Sequence, residues 1–290
     1  MERGAPDGDF RYAALSVFPF QNSAGGVGMS QNISIDKQLV RERFCSTLKS
    51  YRRHAVVQKA MARELSEIIC SVQPARSFDR VLEVGAGSGA LMAELLSRCT
   101  VEAYYANDLV EESRHCLLEV LDRFPVQEFH FLAGDIEQLE ELPSELDLVA
   151  SNATLQWLDD LDGFFRNMAA HLRPGGILAF STFSTANMQE ISAIEGVGLS
   201  YHTLGELELL AGKYFELTVS REEVQKLEFS SPEAVLHHIR RTGVNGIRRR
   251  SWTKSRYKHF IDQYRRLFYC ENGVSLTYHP VYCCMKKRAL

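Results

Sequence analysis

The stretch Val81-Leu82-Glu83-Val84-Gly85-Ala86-Gly87-Ser88-Gly89 decides the fold of this 290-residue chain. A short apolar run ends on an acidic residue, and three alternate glycines then open a predicted helix over residues 90–97. A strand, a glycine turn and a helix start leave backbone N–H groups free and let a ligand approach the main chain closely. We therefore predict a binding loop here, against the alternative of a simple tight turn.

The glycine spacing and the carboxylate of Glu83 indicate which ligand the loop suits. The pattern G-x-G-x-G differs from the G-x-G-x-x-G of dinucleotide-binding folds. A carboxylate just before the loop repels a pyrophosphate but suits a cationic ligand such as S-adenosylmethionine, whose ammonium and sulfonium groups need neutralising partners. The candidate cofactor-binding residues of this segment are Glu83, Gly85, Ala86, Gly87 and Gly89.

From residue 80 onward, strand-like and helix-like segments alternate, as is typical of a parallel sheet covered by helices. The predicted strands are 80–84, 102–107, 128–132, 146–151 and 177–182, and the helices between them include 90–97, 111–124 and 161–171. Residues 173–176 (RPGG) are predicted to be the turn that stops the last of these helices. Farther on, we expect a strand over 216–229, a helical segment from Ser231 to about residue 269, and a last strand over 274–285.

The carboxyl ends of the second, third and fourth predicted strands carry further candidate cofactor residues. Ligands of doubly wound sheets bind beyond these strand ends. Asp108, beside Leu109, can accept from both hydroxyls of a ribose, and Asp135 can accept from an adenine amino group that Ile136 covers. Both aspartates could instead cap helices, but polar residues at successive strand ends, with Asn152 on the fourth, favour a nucleoside site.

The charge of the chain is distributed unevenly. Residues 1–220 hold 18 Lys and Arg against 31 Asp and Glu, whereas residues 221–290 hold 15 against 6. The basic excess lies in the segment 240–266, which has ten Lys or Arg and only Asp262 opposing them. We interpret this segment as a docking surface for a negatively charged partner, and the alternative is a solvated helix face.

Residues 1–36 are predicted to form a disordered extension, because the first 28 residues are rich in Gly, Pro, Ala and Ser and show no sustained apolar period. Met29 opens a segment that reads as an ordinary N-terminus and is a candidate translation start. Seven scattered cysteines without metal-ligand spacing, together with no signal peptide and no apolar stretch of about 20 residues, favour a reduced cytoplasmic protein that binds no metal.

Five segments in a fixed order resemble the class I S-adenosylmethionine-dependent methyltransferases. They are EVGAGSG (83–89), ANDL (106–109), AGDIEQL (133–139), DLVASNATLQW (147–157) and LRPGGILAFSTF (172–183). Two elements outside the cofactor fold, SYRRHAVVQ (50–58) and LTYH (276–279), resemble more narrowly the malonyl-acyl-carrier-protein O-methyltransferases of biotin biosynthesis. The resemblance covers roughly residues 38–287, and both the N-terminal extension and the run Arg248-Arg249-Arg250 depart from the family pattern.

The resemblance implies a fold and a reaction. The fold is a Rossmann-like α/β domain over residues 37–290, with a seven-stranded sheet that is mostly parallel and has an antiparallel last strand. Helical N-terminal and lid elements accompany it, and residues 231–269 would be the basic lid. The reaction is methyl transfer from S-adenosylmethionine to the free carboxylate of a malonyl group on acyl-carrier protein.

Such a carboxylate is ionised at pH 7, so the reaction needs positioning donors and no general base. Tyr51 and His54 lie three residues apart on a predicted helix and are the candidates to overhang the cofactor. Arg241 is the candidate clamp for the substrate carboxylate. The structural alternatives are a packed helix face for Tyr51, a solvated imidazole for His54 and a surface position for Arg241.

Two other functions remain open from the sequence. A methyltransferase for quinone-type molecules or small carboxylic acids, on the same fold, would leave the basic segment incidental. A nucleic-acid methyltransferase would use the mixed cations and aromatics of 240–266, although the acidic remainder of the chain argues against it. We expect a monomer that binds malonyl-acyl-carrier protein and neither membrane nor nucleic acid.

Overall fold

The computed structural model describes residues 35–196, 198–242 and 253–288. The predicted extension up to residue 34 and the run Arg248-Arg249-Arg250 therefore lie outside the described residues. No helix within the described ranges is long and apolar enough to cross a bilayer.

The described chain alternates helices and strands through most of its length. Its strands are β1 (Ser77–Val84), β2 (Thr100–Asp108), β3 (Glu128–Ala133), β4 (Leu146–Asn152), β5 (Leu172–Phe183), β6 (Phe215–Glu222), β7 (Gln225–Phe229), β8 (Tyr269–Cys270), β9 (Gly273–Tyr278) and β10 (Pro280–Lys287). Its helices are α1 (Lys37–His54), α2 (Val56–Val72), α3 (Ala90–Leu96), α4 (Ser113–Leu121), α5 (Leu161–His171), α6 (Gln189–Glu195), α7 (Leu204–Ala211), α8 (Pro232–Arg241) and α9 (Lys254–Leu267).

Seven strands form the central sheet in the order β3-β2-β1-β4-β5-β10-β6. Strands β1 to β5 pair in parallel, and β10 runs antiparallel to both of its neighbours. The sequence-based prediction of a mostly parallel sheet with an antiparallel last strand is confirmed. Each of the five predicted strands between residues 80 and 182 falls inside one of β1 to β5.

Helices cover both faces of this sheet and form two apolar cores. Leu65 of α2 and Leu91 of α3 belong to the core on one face, and Phe165 of α5 and Leu207 of α7 belong to the core on the other. Because both faces are covered, β4 is buried along 146–151 without alternation, as expected for a central parallel strand. Its apolar run made β4 easy to predict.

The segment 173–176 is not the turn that the sequence predicts. The helix α5 ends at His171, and β5 begins at once, with Leu172 paired to Leu146. The pairing then shifts and resumes at Leu148 with Ile177, so the segment 173–176 is a bulge inside the strand. Arg173 supports the bulge through its Nε, which lies 2.7 Å from Oδ1 of the buried Asp147.

A second, three-stranded sheet of order β7-β9-β8 was not predicted. The predicted strand 216–229 breaks after Glu222 into β6 and β7, and the predicted strand 274–285 breaks at His279 into β9 and β10. The antiparallel ladder of β6 with β10 therefore continues, after a break, as the ladder of β7 with β9. Pro280 was the sequence signal for the break at His279, because proline within a sheet is confined to edges, bulges and strand starts.

The helical lid segment begins as predicted. The hydroxyl of Ser231 accepts from the backbone N–H of Ala234, and Pro232 is the first residue of α8. The segment consists of α8 and α9, with residues 243–252 between them outside the described residues.

Candidate active site

A cleft opens at the carboxyl ends of β1, β2, β3 and β4, and residues of α1 and α2 complete its wall. The empty space within its walls and open mouth is about 1060 Å³, with open solvent at the mouth included. Nine of the ten predicted cofactor residues line it: Glu83, Gly85, Ala86, Gly87, Asp108, Leu109, Asp135, Ile136 and Asn152. The parallel sheet brings these residues together because its strand ends meet at one edge.

The glycine loop lies against the end of β2 and crosses the segment after β4. The N–H groups of Gly85 and Ala86 both donate to the carbonyl of Asn107, at 2.9 Å. Gly85 has φ +72°, and a Cβ placed on it would lie 2.1 Å from Oγ1 of Thr154. Only glycine therefore satisfies both the backbone angle and the close approach of Thr154 at this position.

Gly89 is the predicted cofactor residue that does not line the cleft. It is the N-cap of α3, and a Cβ there would lie 2.9 Å from Cγ2 of Val120 and 3.2 Å from Cδ2 of Leu117. Its small size lets α3 pack closely on α4. The structure thus gives the third glycine of the motif a packing role.

Asp108 joins the end of β2 to the glycine loop. Its Oδ2 accepts from the N–H of Gly87 at 2.6 Å, and its Oδ1 accepts from the N–H of Val110 at 2.8 Å. Burial raises the pKa of this carboxyl, and the two backbone donors oppose the shift. A carboxylate has about four acceptor positions, so both oxygens can still accept from a ligand.

Glu83 is buried at the floor of the cleft, and its Oε2 accepts from the hydroxyl of Tyr104 at 2.5 Å. Burial raises the pKa of Glu83 to about 8, against the opposing effect of the Tyr104 hydrogen bond, and the nearby charge of Asp108 adds to the rise. Glu83 is therefore mostly protonated near pH 7 when no cation lies beside it. A cationic group brought to Glu83 would favour its ionised form.

We expect binding of S-adenosylhomocysteine, which carries the ammonium group of the cofactor, to release a proton from Glu83. Because the ionised carboxylate binds the ammonium group better, affinity should rise with pH below about 8, by up to about tenfold per unit, and level off above it. Calorimetry in buffers of different ionisation enthalpy measures the released proton. The Glu83→Gln variant is the control and should lack this component, and equal proton release by the two proteins would contradict the assignment.

Asp135, the predicted partner of the adenine amino group, contacts the first helix. Nζ of Lys37 lies 2.6 Å from Oδ2 of Asp135 and also contacts the carboxylate of Glu137. The backbone N–H of Glu137 donates to Oδ1 of Asp135 at 3.2 Å. Sequence reasoning missed Lys37, since its partners lie about 100 residues away and no local pattern relates them.

The three predicted catalytic residues lie on α1 and α8, and only Tyr51 lines the cleft. The ring of Tyr51 packs edge-on against Phe44 at 5.9 Å between centroids, and Phe44 packs in the same way against Trp157. Burial, followed by the charge of Asp108, raises the pKa of Tyr51, so its hydroxyl keeps its proton. It can donate a hydrogen bond but cannot act as a base near neutral pH.

His54 and Arg241 lie outside the lining of the cleft, near each other at the C-terminal ends of α1 and α8. Burial lowers the pKa of His54, and the charge of Arg241 lowers it further. Of the two residues predicted to overhang the cofactor, Tyr51 lines the cleft and His54 does not. One helical turn is enough to direct the two side chains toward different neighbours.

The structure adds polar lining residues to which the sequence analysis gave no role, among them Gln58, Lys59 and Asn107. The side-chain amide of Asn107 donates to the carbonyls of Leu132, at 2.9 Å, and Gly134, at 3.0 Å, and so fixes the end of β3. The amide of Asn152 donates to the carbonyl of Gln58 at 3.1 Å and joins α2 to β4. The nearness of Gln58 and Lys59 to Tyr51 in the sequence was the available signal.

Comparison with known proteins places the chain among enzymes. Residues 82–180 match a family described as a methyltransferase domain. The malonyl-[acyl-carrier protein] O-methyltransferase of Prosthecochloris aestuarii is 51% identical over 253 residues, which are 87% of this chain and 94% of that protein. The protein of the same name from Chlorobium luteolum is 53% identical, over 87% of this chain and 96% of that protein.

Solved structures share the fold at much lower identity. A Bacillus halodurans protein described as a candidate methyltransferase superposes with a TM-score of 0.58 at 13% identity, over 78% of this chain and 99% of that chain. At this identity the likeness concerns the fold alone, and the two relatives described above carry the family assignment.

Proposed function

The chain belongs to the malonyl-[acyl-carrier protein] O-methyltransferases, and on that basis we propose that it methylates the free carboxylate of a malonyl thioester carried by acyl-carrier protein. Its methyl donor is S-adenosylmethionine. The observation that carries the proposal is sequence identity of about half along nearly the full length of two such enzymes. The methyl ester product is the primer for pimeloyl synthesis in the biotin pathway that the family name implies.

The described residues fit the methyl donor. The buried Glu83 supplies a carboxylate for its ammonium group, Asp108 supplies acceptors for its ribose, and Asp135 with Ile136 supplies the adenine site. When bound, S-adenosylmethionine provides an electrophilic methyl group on a sulfonium. The remaining work of the chain is to position the acceptor and to limit access of water.

The acceptor oxygen belongs to a carboxylate that is ionised at pH 7, so no residue has to remove a proton. In the proposed mechanism the protonated hydroxyl of Tyr51 donates a hydrogen bond that orients the malonyl group. Phe44 and Trp157 pack on each other beside Tyr51. They form an apolar part of the cleft wall that limits the access of water to the reacting groups. Positioning of this kind accelerates a reaction by holding the two reactants in an attacking geometry.

A direct assay tests the function. Purified protein with methyl-labelled S-adenosylmethionine should form a labelled methyl ester on malonyl-acyl-carrier protein, more slowly on malonyl-CoA and least on free malonate. Absence of label on all three would contradict the proposal. Label on a quinone-type molecule or on tRNA in their place would support one of the alternatives weighed from the sequence.

Acyl-carrier protein is acidic, and we propose that it docks on the basic segment 240–266. Within the described residues of this segment, Arg256 contacts Glu195, and Arg265 lies 3.0 Å from Glu233. Lys254 and Lys258 are exposed one turn apart on α9, and neither has an ion pair within the described part of the chain. These two lysines are exposed residues of the segment that can meet a partner.

Reversal of both charges, in a Lys254→Glu/Lys258→Glu variant, should lower kcat/KM for malonyl-acyl-carrier protein about tenfold at low salt. Charge complementarity acts mainly on association, so the salt dependence should become flatter and turnover of malonyl-CoA should change much less. The control is Lys226→Glu/Lys286→Glu, which reverses two exposed lysines on β7 and β10. Equal losses on both substrates would mean that α9 shapes the lid, and no loss on either would make it a solvated face.

We further propose that the enzyme is a cytoplasmic monomer. All seven cysteines lie in the described residues and are free thiols, which supports a reducing compartment. Exposed large apolar side chains lie on different elements, with Leu118 on α4, Leu209 on α7 and Leu267 on α9, which supports a surface without a large self-association patch.

A further inference from the structure

Two lysines line the cleft, and they differ in how their charge is balanced. Lys37 contacts the carboxylates of Asp135 and Glu137. Lys59, at the start of α2, is exposed and makes no ion pair or side-chain hydrogen bond within residues 35–196, 198–242 and 253–288. The cleft therefore holds one cation that no carboxylate of the described chain neutralises.

The positive charge of Lys59 does not stabilise the helix α2. It lies in the first turn of α2, where the backbone N–H groups carry a partial positive charge and a cation is unfavourable. Basic residues are favourable in a last turn, as Arg52, Arg53 and His54 are in α1. Helix stability therefore does not explain a lysine in the first turn that lines a ligand cleft.

The surroundings of Lys59 are positively charged. Burial lowers the pKa of His54, and four nearby groups lower it further, in the order Arg241, His237, Arg53 and Lys59. These groups come from the end of α1, the start of α2 and the end of α8. Lys59 is the member of this group that lines the cleft, so it is where the positive region reaches the cleft.

Lys59 also lies between two cavities. It lines the cleft and, in addition, a neighbouring open groove between α1, α3 and α4, whose lining carries both arginines and the carboxylates of Glu94, Glu112 and Glu119. The ammonium group of a lysine is a compact charge on a flexible four-carbon stem, so it can turn toward a ligand in the cleft. Arg241, the clamp predicted from the sequence, does not line either cavity.

We propose that Lys59 binds a carboxylate inside the cleft. Both molecules of the proposed reaction carry one: the amino-acid end of S-adenosylmethionine and the malonyl group. Binding of the malonyl carboxylate by Lys59 rests on the proposed function, whereas binding of the cofactor carboxylate does not. If the malonyl group supplies the carboxylate, Lys59 takes the role that the sequence analysis gave to Arg241.

The test compares ligands with and without a carboxylate on the Lys59→Met variant, which keeps the stem and removes the charge. S-adenosylhomocysteine has the amino-acid carboxylate, whereas 5′-methylthioadenosine lacks it and keeps the nucleoside. If the cofactor supplies the carboxylate, calorimetry should show S-adenosylhomocysteine binding about tenfold to hundredfold more weakly and 5′-methylthioadenosine unchanged. If the malonyl group supplies it, affinity for both nucleosides should be unchanged, and KM should rise by a similar factor for malonyl-acyl-carrier protein and malonyl-CoA.

Two further variants serve as controls. Lys59→Arg keeps the charge and should retain most of the binding that Lys59→Met loses, and Lys226→Met removes an exposed lysine on β7 and should change nothing. Equal weakening of both nucleosides, or unchanged nucleoside affinity together with unchanged KM, would overturn the proposal. Failure of the proposed function would be seen separately, as wild-type protein that binds S-adenosylhomocysteine but forms no malonyl ester.

Discussion

Asp108→Ala should weaken binding of S-adenosylhomocysteine by at least about a hundredfold. The carboxylate is placed to accept from two ribose hydroxyls, and each hydrogen bond to a charged group contributes about 1.5–3 kcal/mol. A factor of ten in Kd corresponds to about 1.4 kcal/mol, so loss of both bonds exceeds two factors of ten. The variant also removes the acceptor for the N–H groups of Gly87 and Val110, which loosens the loop that would carry the ligand.

Calorimetry on the purified variants measures this effect. Asp108→Asn keeps one acceptor oxygen without the charge and should lie between the wild type and Asp108→Ala. Asp122→Ala removes an exposed carboxylate at the end of α4 and should bind as the wild type does. A folded Asp108→Ala protein with unchanged affinity would remove Asp108 from the cofactor site.

Gly85→Ala should destabilise the protein by about 2–5 kcal/mol, or roughly 5–15 °C in Tm. A left-handed backbone angle costs a residue with a Cβ about 1–2 kcal/mol, and the overlap with Thr154 adds about 1–3 kcal/mol of overpacking. Gly87→Ala is the matched variant in the same loop. It also has a positive φ, but the nearest atoms to its Cβ lie 3.9 Å away, so only the backbone cost applies.

Thermal and urea unfolding of the two variants separates the contributions. The difference between them should equal the cost of the contact with Thr154. A combined Gly85→Ala/Thr154→Ser variant, which removes the methyl group that lies 2.5 Å from the added Cβ, should recover part of the loss. Equal stability of Gly85→Ala and Gly87→Ala would show that the loop moves away from Thr154 at little cost.

The central sheet could be predicted from the sequence because parallel strands that are covered on both faces consist of consecutive apolar residues. The strand β4 is the clearest example. The small sheet could not, because β7 alternates half-buried and exposed residues and joins β6 without a Gly or Pro turn. The bulge at 173–176 was mistaken for a turn because Pro-Gly-Gly is typical of both.

The site could be predicted where topology alone determines it. Strand ends of a parallel sheet must meet, so Glu83, Asp108 and Asp135 could be grouped without coordinates. The residues that α1 and α2 contribute to the site depend on how these helices pack on the sheet. A local sequence pattern does not determine that packing. Lys37 and Lys59 were missed for that reason, and His54 was placed on the same wall as Tyr51 although it faces α8.

The small sheet also fixes the two points at which the lid segment 230–268 is attached to the rest of the domain. Phe229, the last residue of β7, and Tyr269, the first residue of β8, both pair with Val274 of β9, from opposite sides. The segment 230–268 therefore leaves and re-enters the sheet at two points about 10 Å apart, two strand spacings of about 4.8 Å. Its two ends are held at a spacing that does not depend on its length or its sequence. Exchange of this segment between relatives should thus keep its points of attachment, and it should leave the cofactor domain intact where the core residues Val235, Phe260 and Tyr264 are retained. The segment is then a unit for grafting a different carrier or acyl preference onto the same methyl-transfer machinery.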